Sequence, residues 1–143
     1  MSAEDRCFVD TNILVYCHDV SAGRKQDLAR ALIEGLWNSG QGCLSMQVLQ
    51  EFYVTVTRKV PKPLDWAVAS RIISDLGAWT IHEPAVEDVL HAIEVGHQHG
   101  ISFWDAMIVS SASRLRCRVL WSEDLKDGEE YDGVKVRNPF AEL

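Results

Sequence analysis

The run Cys7-Phe8-Val9 ends on a carboxylate, Asp10, and passes at once into Thr11, Asn12 and the apolar stretch Ile13 to Tyr16. This is the pattern of a buried strand whose exit leads straight into a helix beginning on Thr11 or Asn12. In an α/β protein, ligands gather outside the carboxyl ends of parallel strands, so an acid at that exit stands where a metal or phosphate ligand belongs. A second role competes for the same residue. Asp, Thr and Asn are all favoured N-caps, and Asp10 taken alone reads as a helix cap.

The rest of the chain repeats the alternation. After a Ser21-Ala22-Gly23 loop, Arg24 to Asn38 carries Leu28, Ala31, Leu32 and Leu36 at helical spacing, and Asn38-Ser39-Gly40 ends the helix. Gly42-Cys43-Leu44-Ser45 is a second short strand. Met46 to Lys59 is a helix with the stripe Val48, Leu49, Phe52, Tyr53 and Val56, broken by Val60-Pro61-Lys62-Pro63. Leu64 to Leu76 is a helix, Trp79 to His82 a strand, Ala85 to His99 a helix stopped by Gly100, and Ser102 to Leu115 a further helix. Arg118 to Trp121 is the fourth strand, Ser122 to Gly133 a polar loop or helical turn, and Val134 to Val136 a fifth strand. The expected fold is α/β: a three-layer sandwich with a central parallel sheet of about five strands, flanked by helices through right-handed crossovers. If the chain winds one way from the first strand and returns to its other side for the fourth, those two strands meet at a switch point. Asp10 and Ser122-Glu123-Asp124 then share one edge.

The 143 residues, 47% of them hydrophobic, fit one domain over 1–143 with a sizeable core. No apolar run approaches the roughly 20 residues that span a bilayer, and Met1 to Arg6 lacks the build of a signal peptide, so a soluble cytoplasmic protein without membrane contacts is expected. Cys7, Cys17, Cys43 and Cys117 are widely spaced among apolar neighbours, which argues against disulfides and a zinc site. The net charge of −7 has the wrong sign for holding nucleic acid by bulk electrostatics. Basic clusters at Arg24-Lys25, at Arg58-Lys59 with Lys62, and at Arg114, Arg116 and Arg118 are solvated faces or local phosphate contacts. His91, His97 and His99 do not share a helix face and are assigned surface or capping roles. His18 and His82 have no evident acid or nucleophile partner in sequence, and no nucleophile-elbow motif is present.

Asp105 lies on the face that carries Ile108, Val109 and Ala112, where a charge needs a partner. A capping box with Ser102 would supply one, and it is compatible with catalysis. This helix runs opposite to the strand that it feeds, which places its N-terminus at the edge where the first and fourth strands end. Glu51 sits beside its apolar stripe as an ordinary exposed glutamate would. It is also roughly 9 Å along the helix from Ser45, close enough to lean over the same edge. Asp124 is better placed, with Glu123 and Asp127 competing for its role. Acids converging there would raise one another's pKa unless a cation sat among them. Hard oxygen donors without histidine or thiol favour Mg²⁺ or Mn²⁺, and the chemistry that needs such a site is phosphodiester hydrolysis.

Asp10-Thr11-Asn12, Glu51, Phe103-Trp104-Asp105-Ala106 and Ser122-Glu123-Asp124-Leu125, followed by Gly133-Val134-Lys135-Val136 and Asn138-Pro139-Phe140, together resemble the PIN domain. The likeness is greatest to the toxin ribonuclease of VapBC-type toxin–antitoxin pairs. It implies a Mg²⁺- or Mn²⁺-dependent endoribonuclease with Asp10, Glu51, Asp105 and Asp124 at the acidic positions. Asp10 and Asp105 would be the main metal ligands, with Glu51 and Asp124 as further candidates. Asn12 and Ser122 match supporting positions, serine standing where threonine is common. The resemblance also implies an RNA substrate, a homodimer and a cognate DNA-binding antitoxin that covers the active site. Two alternatives are a PIN-like protein-binding module without nuclease activity and a related metal-dependent DNA nuclease of the flap type. The latter is disfavoured because no long insertion is visible.

Overall fold

The computed structural model describes residues 5–143, so Met1 to Glu4, which carry most of the N-terminus assessed for a signal peptide, lie outside the described residues. In chain order the elements are β1 (Cys7–Val9), α1 (Thr11–Cys17), α2 (Arg24–Ser39), β2 (Gly42–Ser45), α3 (Met46–Arg58) and α4 (Trp66–Leu76). They continue with β3 (Thr80–His82), α5 (Val86–His99), α6 (Phe103–Arg114), β4 (Val119–Trp121), β5 (Glu130–Tyr131) and β6 (Val134–Arg137). The sheet order is β3-β2-β1-β4-β6-β5. β1 is parallel to β2 on one side and to β4 on the other, β2 is parallel to β3, and β4 to β6. The chain therefore winds outward through β1, β2 and β3 and then returns across β1 to start β4, which makes the β1/β4 junction the expected switch point. Right-handed crossovers place the helices before that return on one face of the sheet and those within it on the other. The packing agrees: α1 contacts α2 and α3, α3 contacts α4, and α5 contacts α6.

The sheet has six strands where about five were expected. The addition is β5, inside the segment read as a loop, which pairs antiparallel to β6 through Tyr131↔Val134 and Glu130↔Lys135. Asp132 and Gly133 between them both have positive φ, 50° and 82°. Asp-Gly with both residues left-handed is the two-residue turn whose twist suits a hairpin. A two-residue strand is too short to show alternation, so only its turn was legible. The helical stripes also differ in detail. α2 buries Ala29, Ile33 and Leu36, while Leu28 is exposed, and Tyr53 of α3 lies at the surface beside buried Val48, Leu49, Phe52 and Val56.

Ala106 to Ala112 of α6 are all buried, including Ser110 and Ser111, and a buried hydroxyl requires a partner. Histidines supply it. His82 Nδ1 lies 2.8 Å from Ser111 Oγ, with Nε2 3.5 Å from Asp88, and His91 Nδ1 lies 2.8 Å from Ser110 Oγ, with Nε2 2.9 Å from Asp132. His91 is thus a bridge between helices and hairpin, and His82 does have an acid and a hydroxyl partner. Both pairings correct the surface and partnerless assignments, since the groups meet across 29 and 19 residues of sequence. Asp88 also accepts the Ala85 N–H at 2.7 Å and Arg114 Nε at 2.8 Å, and these donors hold its carboxyl below the usual range. His18 stacks edge-on against Phe52, and burial pushes its pKa down.

At the other end of the sheet Gly42 lies under the ring of Trp79, where a Cβ would fall 2.5 Å from the ring carbons. Gly42→Ala should therefore destabilise the protein by about 1–3 kcal/mol through overpacking. The measurement is urea unfolding, with a lower midpoint at an unchanged slope expected.

Candidate active site

The β1/β4 ladder runs one bond beyond the strands, because the Asp10 N–H donates to the Trp121 carbonyl at 2.9 Å. That bond holds Asp10 at the carboxyl edge with only 5% of its surface exposed. One carboxylate oxygen accepts the Thr11 N–H at 2.7 Å and caps α1; the other accepts the Ser122 hydroxyl at 2.7 Å. Capping and site roles thus coexist on a single side chain, one on each oxygen. Among the described residues no Lys, Arg or His forms an ion pair with it. Its pKa is raised to about 7, chiefly by burial. The bonds from Ser122 and Thr11 oppose the rise, and the charges of Asp124 and Asp105 add to it.

Asp105, in the first turn of α6, is half-buried, and its N–H donates to Ser102 Oγ at 3.1 Å. Among the described residues the return bond to the Ser102 backbone that would complete a capping box is not made. Burial raises its pKa first, the Ser102 hydroxyl lowers it, and Asp124 raises it again. Asp124 is exposed and influences both other acids. Its N–H donates to Ser122 Oγ at 3.1 Å and its carboxylate accepts Asn12 Nδ2 at 3.0 Å. Asn12 Oδ1 accepts the Glu123 N–H at 3.2 Å. Asn12 and Ser122 therefore stitch the exit of β1 to the exit of β4 and fix where Asp10 and Asp124 stand.

The two competing acids are engaged elsewhere. Glu123 accepts the Tyr16 hydroxyl at 2.9 Å and Lys25 Nζ at 2.8 Å, and Asp127 accepts the Asn138 N–H at 2.8 Å. Glu51 is exposed, as its place on the helical wheel suggested, and its carboxylate accepts Gln47 Nε2 at 2.6 Å. It shares with Thr11, Asn12, Asp124, Thr55 and Lys59 the wall of a cleft of about 380 Å³. Two residues of this region were missed in the sequence. Gln47 bonds both Glu51 and, at 3.3 Å, the Trp104 carbonyl, so it ties the start of α3 to the start of α6. Thr11 lines the cleft with a buried hydroxyl that has no hydrogen-bond partner among the described residues. Gln47 carried a faint signal, lying one helical turn before Glu51; Thr11 was noted only as a cap.

As they stand, no three His, Cys, Asp or Glu side chains among the described residues form a ready-made metal-binding group. The donor chemistry nevertheless fits a hard divalent cation. The cluster offers oxygen only, and its buried member is an acid with no positive partner whose pKa is pushed up by burial and by two like charges. Asp10, Asp105 and Asp124 are the groups that would hold it, water completing the shell.

The raised pKa sets a direction for stability. A carboxyl whose folded pKa lies above its unfolded value stabilises the fold fully below the unfolded pKa of 3.8, and that contribution is lost as pH rises through about 7. Asn at this position cannot ionise. In EDTA the parent should therefore melt progressively lower relative to Asp10→Asn between about pH 4 and about pH 7, and level off above that. A divalent cation should reverse the trend at the upper end. A melting difference that stays constant with pH would show that Asp10 titrates in the ordinary carboxylate range.

The model of the PIN domain matches residues 7–127. No curated protein matches the sequence. Among solved structures, a toxin–antitoxin complex from Klebsiella pneumoniae is 21% identical with a TM-score of 0.68, covering 93% of this chain and 97% of that one. VapC20 of Mycobacterium tuberculosis, described as a Sarcin-Ricin loop cleaving toxin, is 20% identical with a TM-score of 0.65, covering 90% and 98%. DNA-bound VapBC of Salmonella typhimurium is 14% identical with a TM-score of 0.66, covering 94% and 98%. At these identities the likeness speaks for the fold. The family match spans most of the chain and includes Asp10, Glu51, Asp105 and Asp124, and this chain belongs to the PIN-domain family.

Proposed function

We propose that the chain is a Mg²⁺- or Mn²⁺-dependent endoribonuclease, the toxin of a toxin–antitoxin pair, that hydrolyses RNA phosphodiester bonds at the edge formed by Asp10, Glu51, Asp105 and Asp124. One observation carries this reading: a buried carboxylate without a positive partner at a strand switch point, coupled to two further carboxylates from distant segments. Nothing in the fold requires that arrangement, and it is costly unless a cation is recruited.

When bound, a divalent ion polarises a phosphoryl oxygen and lowers the pKa of an attacking water. The chain's own residues provide the frame. Asp10 and Asp105 would be the main ligands, and Glu51 and Asp124 would complete the acidic wall, where a carboxylate can take up a proton. Ser122 and Thr11 hold Asp10 in one orientation, and Asn12 holds Asp124, so the acids are positioned before any ligand arrives.

The partners proposed are RNA, a second copy of the chain and a cognate antitoxin. The toxin–antitoxin complexes among the structural neighbours support the last. A homodimer is supported by α5, whose surface exposes Val86, Val89, Leu90 and Ile93 in one apolar stripe. Among the described residues no helix is long and apolar enough to cross a membrane, and we place the protein in the cytoplasm as one PIN-like unit over 1–143.

Asp10→Asn or Asp105→Asn should leave the protein folded and lower metal-dependent RNA cleavage by orders of magnitude, with Glu51→Gln and Asp124→Asn less severe. Cleavage of labelled RNA and calorimetric Mn²⁺ binding on the same samples are the checks. An Asp10→Asn protein with full activity and unchanged Mn²⁺ affinity would reduce Asp10 to a helix cap. A folded parent that leaves RNA intact with either metal would favour the protein-binding module instead.

A further inference from the structure

We infer that Trp104, braced by Phe103, is a nucleobase-stacking platform at the lip of the acidic site, taking an unpaired RNA base next to the scissile phosphate. This rests on the ribonuclease reading above and specifies how that site holds its substrate. Trp104 is 64% exposed and Phe103 37%, in the turn of α6 that also carries Asp105. The two rings meet edge to face at 5.0 Å. Phe103 lines a small cavity with Ala92, Ile93, Gly96 and Ile101 on the α5 side, and its contact leaves most of the indole in solvent.

Helical side chains lean toward the N-terminus of their helix, and α6 begins at the carboxyl edge of the sheet. Trp104 immediately precedes Asp105 in the first turn of α6 and so belongs to the same sheet edge. Its backbone is tied to the cleft as well: Gln47 Nε2 donates to the Trp104 carbonyl at 3.3 Å and to Glu51 at 2.6 Å. The platform and the acidic wall are thus held in fixed relation.

Charge explains why such a platform is needed. The protein carries −7 overall, and among the residues lining the cleft only Lys59 is cationic. Phosphate attraction alone gives this edge little hold on RNA. Stacking on an aromatic face supplies affinity independent of charge and tolerant of sequence. It requires an unstacked base, which selects loops, bulges and single strands over duplex.

The test is fluorescence anisotropy with Mg²⁺ and a labelled ten-nucleotide oligouridylate, intact or with one abasic position moved along the strand, in an Asp10→Asn background so that the RNA survives. Trp104→Ala should weaken binding roughly 5- to 100-fold and Trp104→Phe much less. One abasic position should weaken binding to the Trp104-containing protein and have no further effect on Trp104→Ala. In the otherwise native enzyme, Trp104→Ala should raise KM for RNA cleavage with kcat little changed. Unchanged affinity and KM in Trp104→Ala, or an abasic effect of equal size in both proteins, would overturn the platform while leaving the ribonuclease reading intact. Loss of affinity accompanied by a halved mass in light scattering would make Trp104 a subunit contact and overturn it too. A parent enzyme that cleaves no RNA would fail at the earlier step, independently of Trp104.

Discussion

The pair of hydrogen bonds that Asp10 accepts, from the Thr11 N–H and the Ser122 hydroxyl, joins the start of α1 to the end of β4 across 112 residues of sequence. A carboxylate with so little exposed surface is tolerated only when its lone pairs are used. Those bonds satisfy it in part, and burial, with the charges of Asp124 and Asp105, still pushes its pKa up to about 7. A neutral residue in its place would make a calmer strand end. Local stability is given up at this strand end, on a scaffold with enough core elsewhere to tolerate it.

The rest of the architecture aims other acids at that point without letting them collapse onto it. α6 is nearly enveloped. Its hydroxyls are satisfied by His82 and His91, its far end is clamped by Asp88 through Arg114, and its first turn, with Asp105, is consequently fixed at the sheet edge. The β5–β6 hairpin contributes Asp132 to the same brace through His91. These are Ser-His-Asp contacts by composition, but the serines are buried inside the molecule and cannot reach a substrate. They support the helix that presents the acid.

Charge is sorted as carefully as shape. Of the acids that follow β4, Glu123 is drawn away by Lys25 and Tyr16, and Asp127 by the Asn138 backbone, so that Asp124 is left for the cleft. Lys25 itself is held over the Tyr16 and Phe140 rings while it pairs with Glu123. A cleft wall with a single cation, Lys59, cannot neutralise all the carboxylates gathered there.

Much of this was legible in the sequence, for a physical reason. Apolar runs, helical stripes, caps and the glycine and proline stops depend on neighbours within a turn or two, so the alternation of strands and helices, the parallel sheet and the acids at strand and helix ends could be read directly. The family likeness of Asp10, Glu51, Asp105 and Asp124 followed from their order along the chain. Other features depend on residues far apart. Which of Glu123, Asp124 and Asp127 faces the cleft was settled by Lys25, Tyr16, Asn12 and Asn138, and the roles of His82 and His91 by serines on another helix. The strand β5 was too short to carry a pattern of its own. Likewise, Gln47 became a link between Glu51 and Trp104 only when the tertiary fold brought the starts of α3 and α6 together. Local periodicity encodes the elements, whereas the partner of a buried or bridging polar group is chosen by packing, and packing exists only once the chain has closed on itself.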